Sequence, residues 1–247
     1  MRIFGLIGNP IDQSLSPHFF QQKLEREGIK DAIYQLFPIK SIADFPFLIE
    51  KEKNLVGLNV THPHKESIIL YLHQLTKEAQ AIGAVNTVKI NRTEGRIELT
   101  GHNTDCAGFS SLLDQITGTL PARALVLGTG GAAKAVGYEL RRRGVKAEQV
   151  SRTAGRADYT YESLTPEVIE NHLLIVNATP VGMGADRDSC PPLPYPAITV
   201  RHILIDLIYH PEVTVFLRKG AEQGAQTHNG MTMLVGQAEA SWRWWQE

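Results

Sequence analysis

Two histidines and a lysine stand within four positions in the stretch GLNVTHPHKESI, residues 57–68. Imidazoles close together can share a metal ion, whereas a lysine amine can give a proton to a reacting oxygen. A zinc site needs a further protein ligand, and neither an H-E-x-x-H motif nor a Cys/His cluster accompanies His62 and His64. We interpret both histidines as polar residues of a turn and predict no metal site.

Lys65 comes directly after a predicted strand, LVGLNVT at residues 55–61. The following pattern, PHKESIILYLHQL, predicts a helix with Lys65 in its first turn, where the helix dipole would favour release of a proton. Lys65 is therefore a candidate general acid, although a solvated surface lysine is the commoner situation for this position alone. Asp105, in the stretch GHNTD, is a candidate partner that would hold the amine and stabilise its charged form.

Further polar residues are candidates for binding a small carboxylate substrate. Ser14 and Ser16 precede a predicted helix at residues 16–28, and hydroxyls at a helix N-terminus can hold an anion. Ser16 is also the expected N-cap of that helix, whereas Ser14 is too far upstream to cap it. Thr61 ends the predicted strand before Lys65, and Asn86 lies in the stretch GAVNT.

A glycine-rich turn predicts a dinucleotide site. The stretch VLGTGGAAKA fits G-x-G-x-x-A with Gly128, Gly130 and Ala133, between a predicted strand at 122–128 and a predicted helix at 131–144. Glycines in that context let the backbone approach a pyrophosphate at a helix N-terminus. A tight structural turn is the alternative interpretation.

The next strand, KAEQVS at residues 146–151, indicates which dinucleotide binds. An NAD site usually has a carboxylate near this point for the ribose hydroxyl, but QVSRTAGR offers none. Guanidinium groups and hydroxyls suit a 2′-phosphate, so we predict NADP, unless these arginines are simply solvated. The residues in question are Ser151, Arg152, Thr153 and Arg156.

Strand-like runs alternate with helical stretches along the whole chain, which predicts an α/β fold. The expected architecture is an N-terminal α/β substrate domain with a mostly parallel mixed sheet, followed by a Rossmann-type dinucleotide-binding domain. We place the first at residues 1–104 and the second at 105–228, with a C-terminal helix at 229–247 packing back on the first. Met233, Val235, Ala238 and Trp242 are its expected core contacts.

Composition excludes several classes of partner. The net charge of −1 over 247 residues gives no reason to expect nucleic acid or an anionic membrane. No apolar run approaches the ~18–20 residues of a membrane span, and the N-terminus does not resemble a secretory signal. Cys106 and Cys190 are too few for a disulfide framework. A cytoplasmic location is therefore expected.

The motifs together resemble the shikimate dehydrogenase family. The resemblance runs in order through nearly the whole chain: GNPIDQSLSPHF, NVTHPHK, EAQAIGAVNTV, GHNTDCAGF, GTGGAAKA, SRTAGRA, NATPVGM, DLIYHPE and NGMTMLVGQA. It implies NADPH-dependent reduction of 3-dehydroshikimate to shikimate, in aromatic amino-acid biosynthesis. By resemblance Lys65 and Asp105 form the catalytic pair, and Ser14 and Ser16 hold the substrate carboxylate. The remaining implied contacts are Thr61, Asn86, Tyr209 and Gln237 with the substrate, Gly128, Thr129, Gly130, Gly131 and Ala132 with the pyrophosphate, and Ser151, Arg152, Thr153 and Arg156 with the adenosine phosphate.

The chain departs from the family pattern at two positions. Cys106 stands where a glycine is usual after Asp105, and Ser151 replaces an asparagine. A quinate/shikimate dehydrogenase that uses NAD is an alternative, as is a non-catalytic metabolite-binding regulator on the same fold. The chain is expected to be a monomer or a homodimer.

Overall fold

The computed structural model describes residues 1–93 and 95–247, which form two compact units. The first unit is Met1–Thr104 with Gln237–Glu247, and the second is Asp105–Gly236. In chain order the strands and α-helices are β1 (Arg2–Gly8), α1 (Ser16–Arg26), β2 (Ala32–Pro38), α2 (Phe45–Lys51), β3 (Leu55–Val60), β4 (Gln74–Leu75), α3 (Lys77–Ile82), β5 (Thr87–Thr93), β6 (Arg96–His102), α4 (Asp105–Leu113), β7 (Arg123–Leu127), α5 (Gly131–Arg142), β8 (Lys146–Ser151), β9 (Tyr159–Thr160), α6 (Pro166–Glu170), β10 (Leu174–Asn177), β11 (Ile203–Asp206), α7 (Val215–Glu222), β12 (Gln226–His228) and α8 (Met231–Gln246).

The first unit is built on a mixed six-stranded sheet in the order β2-β1-β3-β5-β6-β4. β1 pairs in parallel with β2 and β3, and β4 pairs in parallel with β6, whereas β5 runs antiparallel to both its neighbours. β1 and β3 are buried along most of their length, as expected for apolar strands in the middle of a sheet. The polar residues that follow β3 and β6 are thereby held on a rigid frame.

The C-terminal part of α8 packs on this first sheet through aromatic residues. Phe4 of β1 lies 5.1 Å from Trp242 and 4.9 Å from Trp245, measured between ring centroids. The indole of Trp245 also donates to the carbonyl of Val88 at 3.0 Å. Aromatic side chains bury large areas, so these contacts fix the position of the helix on the sheet.

The second unit has an entirely parallel six-stranded sheet in the order β12-β11-β10-β7-β8-β9. β7 and β10 are neighbours, although β8 and β9 come between them in sequence. Such a reversal of strand order is the topological switch point, where ligands bind at the carboxyl ends of the strands in Rossmann folds. The fold is α/β, with the mixed sheet and the Rossmann-type sheet that the sequence predicts.

One predicted element differs in type from the structure. The helix expected after Lys65 is only a 3₁₀ turn at Ser67–Tyr71, because the chain then joins the sheet as β4. His73 donates to the carbonyl of Leu99, which commits this segment to pairing with β6. The dipole of an α-helix therefore cannot act on Lys65.

Smaller differences concern the chain after residue 90. The polar stretch NRTEG at residues 91–95 predicts a turn between two strands, but β5 continues to Thr93, so part of that stretch is strand. Its Glu94 lies outside the described residues. Val235 of α8 is exposed rather than in the core, whereas Met233, Ala238 and Trp242 are buried. Residues 229–236 fall in the second unit, where the Gly230 N–H donates to the carbonyl of Ile208.

Candidate active site

Lys65 lies just beyond β3, in a turn that begins at Thr61. The Thr61 N–H donates to Ile7, and the Thr61 carbonyl accepts from the N–H of His64. The carbonyl of Lys65 accepts from the N–H of Val85 at 2.7 Å, which joins the lysine to the chain just before Asn86. The Lys65 side chain is partly exposed, so it can meet a substrate while its backbone stays fixed.

The two histidines of this turn have different surroundings. His64 is buried, and its Nε2 donates to the carbonyl of Ile39 at 2.9 Å, so that nitrogen is committed to the protein. His62 is exposed and precedes Pro63 through a cis peptide bond. Among residues 1–93 and 95–247, no three His, Cys, Asp or Glu side chains are grouped as metal ligands.

Asp105 is the first residue of α4 in the second unit, and it is buried. A carboxylate in the first turn of a helix is stabilised by the helix dipole. Cys106, the departure from the family pattern, is also buried and lies within the helix. A helical position has a negative φ, so a cysteine fits there without the strain that a left-handed position would impose.

The two serines at the start of α1 have hydrogen-bond roles other than those predicted. Ser16 is the first residue of α1 and not its N-cap, and the helix has no side-chain cap at Leu15. Ser14 instead accepts the N–H of Ser16 at 3.3 Å, so it supports the start of the helix. The chain turns between the two serines and brings the Ser14 hydroxyl back to the helix, which their spacing in the sequence does not indicate.

Ser16 is buried and has a second partner that the sequence did not indicate. Its hydroxyl hydrogen-bonds the hydroxyl of Tyr34, and burial raises the pKa of that tyrosine. Tyr34 in turn donates to Oδ1 of Asn59 at 2.8 Å. The candidate carboxylate-binding serine is therefore connected to the interior of the first unit.

Asn86 and Gln237 come together in the first unit, with Asn86 Nδ2 lying 3.5 Å from Gln237 Oε1. Asn86 is buried between β3 and β6, since its carbonyl accepts from Val60 and its N–H donates to His102. A cluster of buried hydroxyls from Thr87, Thr104 and Ser241 surrounds its Oδ1 side. The sequence analysis missed these hydroxyls, because nothing local marks a serine on a buried helix face as part of a site.

The glycine-rich turn has the geometry of a dinucleotide site. Gly128 follows β7 at φ 111°, in the region that favours glycine, and a Cβ there would lie 3.2 Å from Thr179 Cγ2. Gly130 is the N-cap of the twelve-residue helix α5, and a Cβ on it would meet nothing within 4 Å. Ala133 is fully buried, as the motif requires for close packing of helix and strand. Thr129, Gly131 and Ala132 complete the turn and are partly exposed or exposed at its surface.

The loop after β8 presents the residues predicted for the adenosine phosphate. Ser151 is buried and its hydroxyl accepts the N–H of Thr153 at 3.0 Å, so the serine shapes the loop. Arg152 and Arg156 are exposed, and the charge of Arg152 opposes the rise that burial causes in the pKa of Tyr161. An exposed pair of guanidinium groups at this sheet end fits a phosphate group.

A polar network that the sequence did not reveal joins the carboxyl ends of β10 and β11. Asp206 accepts from Asn177 Nδ2 at 3.0 Å, from the Ile208 N–H at 3.1 Å and from the Thr214 hydroxyl at 2.7 Å. Asn177 Oδ1 accepts from the N–H and hydroxyl of Thr179, the residue that packs against Gly128. Burial raises the pKa of Asp206 to about 6.

Tyr209 lies three residues beyond β11 in the second unit and is partly exposed. The segment that carries it is fixed by the bond from Gly230 to Ile208. The described part of the chain contains no helix with the length and apolar character of a membrane span.

Comparison with known proteins identifies relatives over the full length of the chain. Residues 6–88 match the family model described as the shikimate dehydrogenase substrate binding domain. The chain is 34% identical to a shikimate dehydrogenase (NADP(+)) of Methanococcus maripaludis, and the alignment covers 99% of this chain and 91% of the relative.

Solved structures extend the comparison. A shikimate 5-dehydrogenase from Thermus thermophilus in complex with NADP(H) and shikimate is 34% identical, with a TM-score of 0.85 over 99% of this chain and 93% of that one. A shikimate 5-dehydrogenase from Listeria monocytogenes in complex with shikimate and NAD is 28% identical, with a TM-score of 0.84 over 100% and 92% of the two chains.

Proposed function

This chain belongs to the shikimate dehydrogenase family, and from that premise we propose that Lys65 and Asp105 carry the proton chemistry of its reaction. The enzyme is an NADP-dependent oxidoreductase that acts on a CH–OH group and interconverts 3-dehydroshikimate and shikimate. The observation that carries this function is the similarity to NADP-dependent shikimate dehydrogenases over 99% of the chain. The reaction belongs to the shikimate pathway, which leads to chorismate and the aromatic amino acids.

The proposed role of Lys65 follows from the charge that the reaction creates. NADPH, when bound, supplies the hydride that reduces the ketone. The ketone oxygen then gains negative charge, which the Lys65 ammonium stabilises and neutralises by giving a proton. Asp105 is the acid–base partner that keeps the amine charged and oriented. The fixed backbone of Lys65, held by Val85, supports this assignment.

The substrate contacts are part of the same proposal. Ser14 and Ser16 hold the carboxylate, and Thr61, Asn86, Tyr209 and Gln237 contact the ring and its hydroxyls. The bond between Asn86 and Gln237 supports a shared role for those two residues. The proposed domains are a substrate-binding domain at residues 1–104 with the C-terminal helix at 229–247, and an NADP-binding domain at residues 105–228. Residues 229–236 of that helical segment fall in the second unit.

The residues of the second unit suit NADP. The left-handed Gly128 and the open Gly130 at the start of α5 allow a pyrophosphate to approach the backbone. The 2′-phosphate contacts come from Arg152 and Arg156, with Ser151 and Thr153 shaping the loop. No carboxylate stands in this loop before Asp158, where an NAD site usually has one.

The test is absorbance at the nicotinamide band, with shikimate or quinate and with NADP or NAD. We expect the largest kcat/KM with shikimate and NADP. Equal use of NAD would contradict the phosphate contacts and agree with the Listeria complex. Tight shikimate binding without turnover in any combination would instead identify a metabolite-binding regulator.

The proposal also includes the cellular location and the oligomeric state. We place the protein in the cytoplasm, as for other biosynthetic enzymes, and expect a monomer or a homodimer. Cell fractionation and light scattering of the purified protein measure these directly.

A further inference from the structure

A buried cluster of three hydroxyls lies behind Asn86, and we call Thr87, Thr104 and Ser241 the hydroxyl cluster. Ser241 Oγ lies 2.9 Å from Thr87 Oγ1 and 2.9 Å from Thr104 Oγ1, and the two threonine oxygens are 3.1 Å apart. All three side chains are fully buried. Buried hydroxyls must satisfy one another, so each proton in the cluster has a limited choice of acceptors.

The orientation of the Asn86 amide follows from one unambiguous donor. The backbone N–H of Thr104 lies 2.7 Å from the Asn86 atom assigned as Oδ1, and an N–H can only donate. The hydroxyls of Thr87 and Thr104 lie 3.0 Å and 3.1 Å from the same oxygen. Asn86 therefore keeps its carbonyl oxygen towards the cluster and its Nδ2 donor towards Gln237.

Ser241 can give its proton to one of the two threonine oxygens, and that threonine can then give its own proton to Asn86 Oδ1. Asn59 Nδ2 lies 2.9 Å from Ser241 Oγ and 3.4 Å from the carbonyl of Asn86, which can only accept, so this atom is a donor. Ser241 then accepts from Asn59 and directs its own proton to a threonine oxygen. The resulting chain of donors runs from Asn59 through Ser241 and a threonine to Asn86 Oδ1.

We propose that Ser241 is a positioning residue for shikimate, acting through the hydroxyl cluster to hold the Asn86 amide with Nδ2 as a donor to a substrate hydroxyl oxygen. This inference rests on the proposed function, in which Asn86 and Gln237 bind the substrate ring. Ser241 lies on the face of α8 that also carries the buried residues Ala238, Trp242 and Trp245. Anchoring of α8 by its tryptophans therefore also sets the position of the serine.

The test compares Ser241→Ala with the parent enzyme in steady-state kinetics. We expect the KM for shikimate to rise about 3- to 10-fold, the effect of losing one neutral hydrogen bond. The kcat and the KM for NADP should change by less than about 2-fold, because the role proposed for Ser241 concerns only the orientation of the Asn86 amide towards the substrate. A matched control is Ile90→Val, a conservative change in the buried part of β5 that lowers the melting temperature without touching the hydroxyl cluster.

A double-mutant cycle separates positioning from general stability. If Ser241 acts through Asn86, then adding Ser241→Ala to Asn86→Ala should raise the shikimate KM no further. Equal effects of Ser241→Ala in both backgrounds would overturn the inference, as would a shikimate KM unchanged by Ser241→Ala. Should Ser241→Ala fail to fold, Ser241→Cys replaces the hydroxyl by a somewhat larger group that is a weak donor, and it is expected to show the same rise in KM.

The cycle also distinguishes this inference from the proposed function. A shikimate KM that Asn86→Ala does not change would overturn the substrate contacts assigned to Asn86, and the inference with them. A defect in Asn86→Ala with a normal Ser241→Ala enzyme would overturn only the role of Ser241.

Discussion

The polar groups buried around Asn86 in the first unit differ in kind from those buried at and beside the sheet of the second unit. Around Asn86, the first unit buries neutral amides and hydroxyls: Asn59, Thr87, Thr104 and Ser241. The second unit buries ionisable groups at and beside its sheet, including Asp206, Glu139, Glu148 and His172. The frame around Asn86 is thus made of neutral hydrogen-bonding groups, whereas the second unit also buries groups that can carry charge.

The difference has a physical consequence. Hydroxyls and amides do not titrate near neutral pH, so the frame around Asn86 keeps one state. In the second unit, hydrogen bonds from His172, Arg123 and Lys146 outweigh the effect of burial and lower the pKa of Glu148 to about 2. Burial has the opposite result at Asp206, where it raises the pKa to about 6. The stability of the second unit should therefore depend on pH more than the frame of the first.

The largest effect on activity is expected at Lys65, the residue of the first unit that is proposed to give a proton. Lys65→Ala should lower kcat by at least ~10²-fold, the low end of general acid–base effects, because the developing oxyanion loses its proton donor. The melting temperature should hardly change, since the side chain is partly exposed. Steady-state kinetics with a melting curve provide the measurement.

Two further variants sharpen that result. Lys65→Arg keeps the charge but cannot give up its proton, so it should remain strongly defective. Lys53→Ala removes an exposed lysine two residues before β3 and should behave like the parent. Near-normal turnover in folded Lys65→Ala would remove Lys65 from the mechanism.

The next largest effect should fall on the cofactor and not on shikimate. Arg152→Asp should weaken NADP binding by ~1.5–3 kcal/mol, the scale of a hydrogen bond to a charged group. The shikimate KM should stay the same, because Arg152 is assigned to the 2′-phosphate of the cofactor and to no part of the substrate. Titration of NADP by fluorescence measures the affinity, and Arg201→Asp, another exposed arginine of the second unit, is the control. An unchanged affinity would mean that the 2′-phosphate is held elsewhere.

Most strands were predictable from the sequence because their residues repeat a local pattern. β8 was predicted at its observed bounds, and β7 lies within the strand predicted at residues 122–128. The segment after Lys65 was not predictable in this way. Its apolar residues also fit a helix, and only pairing of Gln74 and Leu75 with β6 decides for a strand.

In the candidate site, too, only the local features could be predicted from the sequence. The glycine-rich turn at Gly128 is an example, because its motif lies within a few consecutive residues. The partners of the site residues could not be predicted, because they come from distant parts of the chain. Ser241 reaches Thr87 across 154 positions, and Tyr34 reaches Asn59 across 25. A hydrogen bond of that kind leaves no periodic signal in the sequence.

A smaller effect is expected at Ser14, whose hydroxyl can serve substrate binding, the stability of the start of α1, or both. If the hydroxyl binds the substrate carboxylate, Ser14→Ala should raise the shikimate KM by about 10-fold or more. It should also cost about 1 kcal/mol of stability, since the Ser16 N–H loses its acceptor. Kinetics and a melting curve measure the two effects separately. Ser163→Ala is the control, because Ser163 supports a 3₁₀ turn of the second unit. A shikimate KM unchanged by Ser14→Ala would mean that the carboxylate is held by other residues.

The smallest expected effect is on the pH dependence of stability. Asp206→Asn tests whether a buried carboxyl of the second unit contributes to it. The pKa of Asp206 is raised from its ordinary value of 3.8 to about 6, so between these values the folded protein binds more protons than the unfolded chain. Stability from this group is therefore present at low pH and is lost as pH rises through about 6. Glu148 acts in the opposite sense, because its lowered pKa makes stability fall as pH drops from 4.5 towards about 2.

Asp206→Asn imitates the protonated acid and should remove only the first of these contributions. The melting temperature of the parent should rise relative to that of the variant as pH is lowered from about 7 to about 4, and the histidines that titrate in this range affect both proteins alike. Asp188→Asn, at an exposed carboxyl, is the control and should keep a constant difference from the parent. Melting curves across this range provide the measurement. A constant difference for Asp206→Asn would mean that Asp206 does not titrate there, and the contrast between a neutral and a charged frame would then rest on Glu148 and its partners alone.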